Sequence, residues 1–272
     1  MRKMGILNGI LTAMKRVVVA YSGGLDSTFL VKAAVDSLGH DNVIAVTARS
    51  ETYPDSEYED SRKISRTLKV KQLVIRTSEL KDKKFSENPV DRCYYCKSEL
   101  FGKLNRIKDD AGFSFVLDGT NADDLKDIRH GRKAALELGV RSPLLEAGIG
   151  KDLIRSMSRR MGLVTWDKPS YACLASRIPF GTPITKKELT RIDIAENYLR
   201  SSGFKQVRIR VHGDIARLEF YLSDIKSIIN EAKRRRIVKR LKSLGFKYIC
   251  LDMEGYRTGS MHEAVDRADV LN

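Results

Sequence analysis

A short apolar run that leads directly into a glycine turn is the sequence feature that most constrains the fold. Residues 16–21 read RVVVAY, which is β-branched and almost wholly apolar. Such a run is typical of a central strand that is buried on both faces of a sheet. The turn SGGLDST at residues 22–28 follows at once, and a helical pattern continues to Leu38. A strand, a turn and a helix in this order predict the first unit of a parallel α/β sheet.

The alternation of strands and helices continues along the first half of the chain. Strands are predicted at residues 43–48, 71–76 and 115–118, and helices at residues 27–38, 56–68, 96–112, 129–138 and 151–161. This order predicts an α/β fold in which a parallel sheet is flanked by helices on both faces. Before the first strand, Leu7, Ile10, Leu11 and Met14 have helical spacing, which favours an amphipathic helix over a signal peptide.

The pattern changes after residue 165. Lys168-Pro169 and residues 179–183 form a passage rich in proline and glycine, and the domain boundary is predicted near residues 165–185. Beyond it the periodicity predicts a helix, two paired strands, a basic helix and a last strand, at residues 186–201, 206–211, 216–222, 224–243 and 248–252. We therefore predict two domains, a larger α/β domain at residues 1–170 and a smaller α+β domain at residues 171–272.

Composition indicates the class of binding partner and the cellular compartment. Lys and Arg number 50 against 35 Asp and Glu, so the formal net charge is +15. An excess of this size favours an anionic partner, a class that includes nucleic acids, nucleotides and acidic small molecules. Four cysteines are too few for a disulfide scaffold of 272 residues and favour the reducing cytoplasm. No apolar run approaches the roughly 20 residues that a membrane-spanning helix needs.

The turn at residues 22–28 has the composition of a phosphate-binding loop. It lies where a parallel sheet presents its ligands, at the carboxyl end of a strand and the N-terminus of a helix. Gly23 and Gly24 allow the backbone to curl around an anion, and three hydroxyl groups flank them. Asp26 suits a phosphate site only if it binds Mg²⁺ or caps the helix. The predicted nucleotide-binding residues are Ser22, Gly23, Gly24, Asp26, Ser27 and Thr28.

Three of the cysteines form a second candidate site. Cys93 and Cys96 form a C-x-x-C pair, and Cys173 lies in the proline-rich passage. The pair is compatible with disulfide redox chemistry, structural zinc, an iron–sulfur cluster or chance. Three thiolates would leave one iron of a [4Fe-4S] cluster without a protein ligand. The fourth cysteine, Cys250, lies in the apolar run YICLD and is predicted to be a buried core thiol.

Basic residues accompany the cysteines and recur in the second domain. Arg92, Lys97 and Arg177 neighbour the cysteines in sequence and favour their thiolate forms. Arg208 and Arg210 alternate with apolar residues, so one strand face carries two guanidinium groups while the other joins the core. Two such groups side by side suit a phosphate or a carboxylate. The alternative is an exposed, salt-bridged sheet face.

Two short motifs resemble nucleotide-binding segments. SGGLDS resembles the pyrophosphate loop of the N-type ATP pyrophosphatases, a superfamily that adenylates its substrates with ATP. It is not a Walker A loop, because no Lys precedes Ser27. DGTNADD at residues 118–124 resembles a segment that lies along the nucleotide in related synthetases, which implies that Gly119 and Thr120 lie near ATP. Taken alone, this second motif reads equally well as a turn followed by a helix cap.

Five longer segments resemble the LarE family of ATP-dependent sulfur transferases, which act on the pyridinium precursor of the nickel-pincer nucleotide. They are SGGLDST, DRCYYCK, CLASRIPFGTPIT, RIRVHGDIARLE and LDMEGYRTGSM, and they span residues 21–261. The resemblance implies that ATP and Mg²⁺ bind at the glycine loop. It also implies that a carboxylate of an anionic pyridinium mononucleotide is adenylated with release of pyrophosphate. Sulfur then displaces AMP and leaves a thiocarboxylate.

The resemblance further implies where the sulfur comes from. One branch of the family gives up the sulfur of a single cysteine at the position of Cys173. The present chain is similar to the three-cysteine branch. This implies that Cys93, Cys96 and Cys173 bind a [4Fe-4S] cluster, whose open iron carries the transferable sulfide.

Glu196 and Glu219 match acidic positions that lie near the substrate pocket of the family. Together with Arg208 and Arg210, they imply a substrate site in the smaller domain. The family often forms homo-oligomers, and the same is expected here. Two alternatives stay open. A tRNA thiolation enzyme would share the loop and the cysteines but would usually carry an RNA-binding appendage. A non-catalytic nucleotide or iron–sulfur binding protein is disfavoured by the intact loop with Asp26.

Overall fold

The computed structural model describes residues 2–126, 130–169, 171–257 and 260. The chain divides into two compact units. The first unit combines Met1–Glu79 with Asp91–Tyr171, and the second combines Leu80–Val90 with Ala172–Asn272. Within the described ranges, no helix is both long enough and apolar enough to cross a membrane. Residues 80–90 thus belong to the second unit, although the first unit surrounds them in sequence.

The first unit is built on a four-stranded sheet whose strands are all parallel. The strands are β1 (Val17–Ala20), β2 (Val43–Arg49), β3 (Lys71–Arg76) and β4 (Phe115–Leu117). Their order across the sheet is β3-β2-β1-β4, so β1 lies inside it. The helices that precede residue 165 are α1 (Arg2–Met14), α2 (Leu25–Leu38), α3 (Asp55–Thr67), α4 (Lys83–Ser86), α5 (Arg92–Asp110), α6 (His130–Glu137), α7 (Pro143–Glu146) and α8 (Lys151–Arg160). Of these, α4 belongs to the second unit.

The predicted parallel sheet is confirmed, and helices cover both of its faces. Val17 and Val19 of β1 pack with α1, α2 and α8, whereas Val18 packs with Phe101 and Leu104 of α5. All five side chains are fully buried. Because successive strand residues point to opposite faces, a strand between two helical layers must be apolar throughout. Burial of one such side chain contributes roughly 1.5–3 kcal/mol, which explains why RVVVAY has no polar interruption.

The amphipathic first helix is also confirmed. Leu7, Leu11 and Met14 of α1 are buried in the core on the α2 side of the sheet. Their spacing places them on one face of the helix, as the sequence pattern indicated. The helix therefore belongs to the fold of the first unit.

The second unit holds a three-stranded mixed sheet. Strands β5 (Val207–His212) and β6 (Ile215–Phe220) pair in antiparallel fashion, and β7 (Tyr248–Leu251) pairs with β6 in parallel. Its later helices are α9 (Lys186–Ser201), α10 (Ile225–Ile229) and α11 (Glu231–Ser243). The unit is thus the small α+β fold that the sequence predicted. The last part of the segment LDMEGYRTGSM, including Met261, lies outside the described residues.

Two predictions for this unit are wrong. The helix predicted at residues 224–243 is interrupted, because Asn230 leaves the helical conformation and caps α11 by accepting the Lys233 N–H at 3.3 Å. Cys250 is exposed and is not a core thiol. It lies on the edge strand β7, where Ile249 and Leu251 are the more buried residues. Because strand residues alternate, Cys250 takes the outer face.

Asn88 ties the segment 80–90 to the rest of the second unit. Its side chain is fully buried, and Nδ2 donates to the carbonyl oxygens of Pro179 at 2.7 Å and Thr182 at 2.9 Å. Its own carbonyl accepts the Gly181 N–H at 2.9 Å. The φ angle of 61° lies in the left-handed region, which Asn tolerates better than most residues. One side chain therefore satisfies several buried backbone groups of a distant loop.

We expect Asn88→Ala to lower the free energy of unfolding by about 2–4 kcal/mol, because buried carbonyls lose their donor and Ala must adopt a left-handed conformation. Urea unfolding followed by circular dichroism measures the change. The control Asn42→Ala removes one half-buried bond to the Leu38 carbonyl and should cost less than about 1.5 kcal/mol. Equal stability of Asn88→Ala and the unsubstituted protein would contradict the role given to Asn88.

Candidate functional site

The loop between β1 and α2 presents donors at the carboxyl end of an inner strand. Gly24 is the N-cap of α2, with an extended backbone. The helical bonding pattern starts with the Thr28 N–H, which donates to the Gly24 carbonyl at 3.0 Å. The amides that precede Thr28 in the first turn therefore have no intrahelical acceptor. Together with the helix dipole, such amides bind phosphate groups.

Serine and threonine side chains surround the same turn. Ser27 Oγ accepts the Ser22 N–H at 3.3 Å and lies 3.2 Å from Ser22 Oγ. Ser27 and Thr28 are buried in the first turn of α2, whereas Ser22 is exposed. The three hydroxyl groups that the sequence analysis associated with phosphate thus belong to one compact loop.

Position 23 accommodates only glycine. Gly23 has a φ of 64°, in the left-handed region that side chains disfavour. A Cβ atom on Gly23 would lie 2.7 Å from the Cβ atom of Ser61 in α3. The backbone of the loop is therefore packed directly against α3, and the glycine is needed for this approach as well as for its conformation.

Two side chains outside the loop hold its carbonyl groups, and the sequence analysis missed both. Tyr53 Oη donates to the Ser22 carbonyl at 2.8 Å. Lys168 Nζ donates to the Gly23 carbonyl at 3.4 Å. The two contacts span 31 and 145 positions of the chain, so no local pattern connects these residues to the loop. In the sequence, Lys168 is only a member of the Pro-rich passage.

The loop that follows β4 lies against the first turn of α2. A Cβ atom on Gly119 would lie 3.1 Å from the backbone N of Ser27. Asp118 organises this second loop, because its carboxylate accepts from Thr120 N at 3.1 Å, Thr120 Oγ1 at 2.7 Å and Ser142 Oγ at 2.7 Å. The structure thus brings the two predicted nucleotide-binding segments together. The contact of Gly119 and Thr120 with a nucleotide stays a prediction.

Two acidic residues of the second loop have structural partners. Asp123 Oδ2 accepts the Lys151 N–H at 2.8 Å and so caps the N-terminus of α8. Asp124 Oδ2 accepts the Asn121 N–H at 3.1 Å. Asp123 thus caps a helix, but this helix is distant in sequence and does not directly follow the motif as the alternative interpretation expected.

Asp26 is suited to a divalent cation at the glycine loop. It lies in the first turn of α2, where the helix dipole favours a negative charge. A carboxylate beside phosphate is repulsive unless a cation lies between them, and carboxylate oxygen is a preferred Mg²⁺ ligand. Within each unit, the described residues contain no group of three or more His, Cys, Asp and Glu side chains that could bind a metal ion. A bound Mg²⁺ would take its other ligands from phosphate and water, as this ion commonly does.

Cys93 and Cys96 lie in the first turn of α5, which begins at Arg92 rather than at residue 96 as predicted. Residues three apart on a helix share one face, so both thiols point to the same side. Cys93 is exposed. Cys96 Sγ donates to Glu79 Oε1 at 3.7 Å, and this buried carboxylate also accepts from Thr77 Oγ1 at 2.9 Å. The pair is thus presented at the start of a long helix, with one thiol held by an acidic side chain.

Cys173 belongs to the second unit and is exposed in front of a short 3-10 turn. Buried arginine side chains hold the backbone around Cys173. Arg177 is fully buried, and its Nη1 donates to the carbonyls of Ala172 at 2.7 Å and Cys173 at 3.0 Å. Arg210 Nη1 donates to the Ser176 carbonyl at 2.9 Å. Two buried arginines therefore fix the segment that carries the exposed thiol.

Glu196 of α9 is the fully buried partner of Arg177. Arg177 contacts it through two parallel bonds, Nε to Oε1 and Nη2 to Oε2, both 2.9 Å long. Arg200 Nη2 and the Ile209 N–H also donate to this carboxylate, at 2.7 and 3.0 Å. Burial alone would raise the pKa of Glu196, but Arg177, Arg208 and Arg200 outweigh it and lower the pKa to about 2. Glu196 is therefore ionised at neutral pH.

Arg208 and Arg210 are only 2 % and 5 % exposed, so the alternative of an exposed sheet face is wrong. Arg210 Nη2 donates to Glu219 at 2.8 Å. Burial, together with repulsion from Arg177, lowers the pKa of Arg208 to about 10. Among the described residues of the second unit, three arginines and two glutamates are buried. The excess positive charge favours an anionic ligand.

Comparisons with known proteins match the region of the glycine loop and, for some relatives, nearly the whole chain. The NAD synthase family matches residues 10–92, a range that includes β1, the glycine loop and α2. Over 268 residues, the chain is 38% identical to the pyridinium-3,5-bisthiocarboxylic acid mononucleotide synthase of Lactiplantibacillus plantarum. The alignment covers 98% of this chain and 96% of that relative.

The chain belongs to the LarE family. It is also 38% identical over 265 residues to an uncharacterized protein of Synechocystis sp., with 97% of this chain and 98% of the relative covered. An uncharacterized protein of Methanocaldococcus jannaschii is 30% identical over 246 residues, with 90% and 92% covered. The predicted resemblance to the LarE family and to the PP-loop superfamily is therefore confirmed.

Membership in the LarE family leaves the cysteine site as a prediction. Cys93 and Cys96 belong to the first unit and Cys173 to the second. None of the three is in a disulfide, and thiolates are the usual protein ligands of iron–sulfur clusters, so these cysteines supply the kind of donor that a [4Fe-4S] cluster needs. In the sequence, Arg177 is only one of the basic residues near the cysteines. Its position inside the LarE-like segment CLASRIPFGTPIT was the available signal for a larger role.

We expect Arg177→Met to lower the free energy of unfolding by about 3–5 kcal/mol, because it leaves the buried Glu196 without its bidentate partner. Chemical denaturation measures this effect. The control is Arg235→Met, which removes the exposed ion pair with Glu231 on α11 and should cost less than about 1 kcal/mol. Similar losses of unfolding free energy in Arg177→Met and Arg235→Met would show that the buried pair does not stabilise the second unit.

Proposed function

We propose that this protein is an ATP-dependent sulfur transferase that converts a carboxylate of a pyridinium mononucleotide into a thiocarboxylate. One observation carries the proposal. A complete glycine loop with Asp26 lies at the N-terminus of α2, in a chain that aligns over nearly its full length with a pyridinium-3,5-bisthiocarboxylic acid mononucleotide synthase. The loop supports the use of ATP, and the relative supports the substrate class.

The first step proposed is adenylation of the substrate. A carboxylate oxygen attacks the α-phosphorus of ATP, the bond to the bridging oxygen breaks, and pyrophosphate leaves. This step is needed because a free carboxylate is a poor electrophile. The amides of the glycine loop and of the first turn of α2 stabilise the negative charge that develops on the departing phosphates. Asp26 would hold Mg²⁺, which neutralises phosphate charge when it is bound.

The second step transfers sulfur to the activated carbonyl carbon. A sulfur nucleophile attacks this carbon, the bond to the AMP oxygen breaks, and the thiocarboxylate forms. Cys93, Cys96 and Cys173 would hold a [4Fe-4S] cluster, whose open iron would supply the sulfide. The competing source is Cys173 alone. In that case the thioester formed by Cys173 would eliminate the thiocarboxylate and leave dehydroalanine.

The buried arginines support an anionic substrate in the second unit. Arg208 and Arg210 lie on one face of β5, and the substrate class carries both phosphate and carboxylate groups. Glu196 and Glu219 hold neighbouring guanidinium groups in place. We therefore propose that these four residues bind or position the substrate. The described cysteines form no disulfide, which fits the cytoplasmic location that we propose. We also propose a homo-oligomeric state.

We expect Asp26→Asn to reduce substrate-dependent pyrophosphate release by about 100-fold or more, because the loop loses its cation ligand. A coupled pyrophosphate assay with the pyridinium mononucleotide measures the rate. Asp36→Asn is the matched control, since Asp36 lies on the same helix but pairs with Lys32 on the surface. Full activity of Asp26→Asn would contradict the proposed adenylation site.

The cysteine variants separate the two sulfur sources. If a cluster carries the sulfide, Cys93→Ala, Cys96→Ala and Cys173→Ala should each abolish thiocarboxylate formation and reduce the iron content of anaerobically purified protein. Cys250→Ala is the matched control, because Cys250 is an exposed cysteine like Cys93 and Cys173. If Cys93→Ala completes a single turnover and loses the mass of one sulfur, the cluster is contradicted and Cys173 is the donor.

A further inference from the structure

Two carbonyl groups of the glycine loop accept hydrogen bonds from side chains outside the loop, and the adenylation step proposed above assigns them no role. Ser22 C=O receives the Tyr53 hydroxyl and Gly23 C=O receives the Lys168 ammonium group. Tyr53 precedes α3, and Lys168 follows α8. We propose that Tyr53 and Lys168 are positioning residues, which orient the peptide groups of the loop so that their N–H groups face the phosphates of ATP.

The geometry of the peptide bond links each carbonyl contact to the direction of the next N–H group. In a trans peptide, the C=O of one residue and the N–H of the next point in opposite directions. The described part of the chain contains no cis peptide bonds. The bond to Ser22 C=O therefore sets the direction of the Gly23 N–H, and the bond to Gly23 C=O sets that of the Gly24 N–H. Both N–H groups point away from Tyr53 and Lys168.

These two N–H groups lie directly before the first turn of α2, whose leading amides have no acceptor within the helix. Consecutive backbone N–H groups that converge at a helix N-terminus form an anion-binding nest. Without external contacts, glycine peptides can rotate at little cost, because glycine has no side chain to restrict them. Two hydrogen bonds on the outer side of the loop would remove this freedom before the nucleotide arrives.

The surroundings of Lys168 favour a positioning role over direct phosphate binding. Its ammonium group lies 3.0 Å from Glu57 Oε2 and 3.1 Å from Asp60 Oδ2, and its side chain is only 12% exposed. Two carboxylates of α3 thus balance its charge and hold it in place. The ammonium group is turned toward α3 and the back of the loop.

The surroundings of Tyr53 support the same role. Burial, with a further contribution from the Glu57 charge, raises the pKa of Tyr53 well above its ordinary value. Its hydroxyl therefore keeps its proton and acts as a donor at all physiological pH values. Together the two residues supply one neutral and one charged donor to adjacent carbonyl groups.

The test compares ATP with adenosine, and it rests on the ATP use in the proposed function. Isothermal titration calorimetry gives the affinities of Tyr53→Phe and Lys168→Met for both ligands. We expect ATP binding to weaken about threefold to tenfold in Tyr53→Phe and about tenfold or more in Lys168→Met. Adenosine binding should change less than about twofold, because adenosine has no phosphate to contact the nest. A general loss of structure would affect both ligands.

Matched variants on α3 serve as controls. Tyr58→Phe removes a hydroxyl and Lys63→Met removes an exposed charge, and neither should affect ATP affinity. Because Lys168→Met leaves Glu57 buried without this cation, the double variant Glu57→Gln/Lys168→Met restores the charge balance. It should fold, as judged by circular dichroism, and still bind ATP more weakly.

Each outcome decides the proposal. Unchanged ATP affinity in both Tyr53→Phe and the double variant would overturn it while leaving the proposed function intact. Loss confined to the Lys168 variants would overturn the positioning role and make Lys168 a direct phosphate ligand. Equal loss of adenosine and ATP binding would also overturn it, because the effect would then not be specific to the phosphates. Failure of the unsubstituted protein to bind ATP would refute the proposed function as well.

Discussion

The parallel pairing of β1 with both β2 and β4 is the constraint on which the proposed nucleotide site depends. Parallel neighbours end at the same edge of a sheet, so the loops after β1 and β4 meet there. The close approach of Gly119 to the backbone of Ser27 is the direct result. A glycine at each contact point, Gly23 against α3 and Gly119 against α2, allows the backbone segments to pack at distances that a side chain would prevent.

The second unit depends on a different feature, which is a pair of buried charges. Arg177 and Glu196 are both fully buried and share two hydrogen bonds. Taking both ions out of water is costly, and the additional bonds to Ala172, Arg200 and Ile209 offset this cost. The bond to Ala172, and that of Arg177 to the Cys173 carbonyl, also hold the backbone at Cys173. Charge burial and placement of the segment that carries Cys173 are thus consequences of one network.

The regular elements were predictable because they follow simple periodic burial. Residues 71–76 and 186–201 form β3 and α9 at the predicted bounds. The glycine loop was predictable because its residue types and its place between a strand and a helix agree. The interruption at Asn230 was missed because apolar residues keep their helical spacing across it, and only a side-chain cap distinguishes two helices from one.

Two of the missed residues, Tyr53 and Lys168, act over 31 and 145 positions of the chain, whereas Arg177 contacts carbonyls four and five positions away. Tyr53, Lys168 and Arg177 each donate to backbone carbonyls, and a carbonyl acceptor leaves no mark on the sequence, since every residue has one. Cys250 was misplaced because its neighbours are apolar, although edge strands expose alternate residues. Periodicity identifies which elements form, whereas it says little about which side chain reaches a given loop.

Because the ribosome synthesises the chain from its N-terminus, the segment 80–90 is made well before the other residues of the second unit. Asn88 is synthesised 94 positions before Thr182, one of its hydrogen-bond acceptors. At typical synthesis rates of roughly 5–20 residues per second, this separation corresponds to a delay on the order of ten seconds. During that time the first unit can complete its sheet, while residues 80–90 wait as a solvated loop. The second unit can therefore close only after the first has been made, and a fragment that begins at residue 172 would emerge without Asn88.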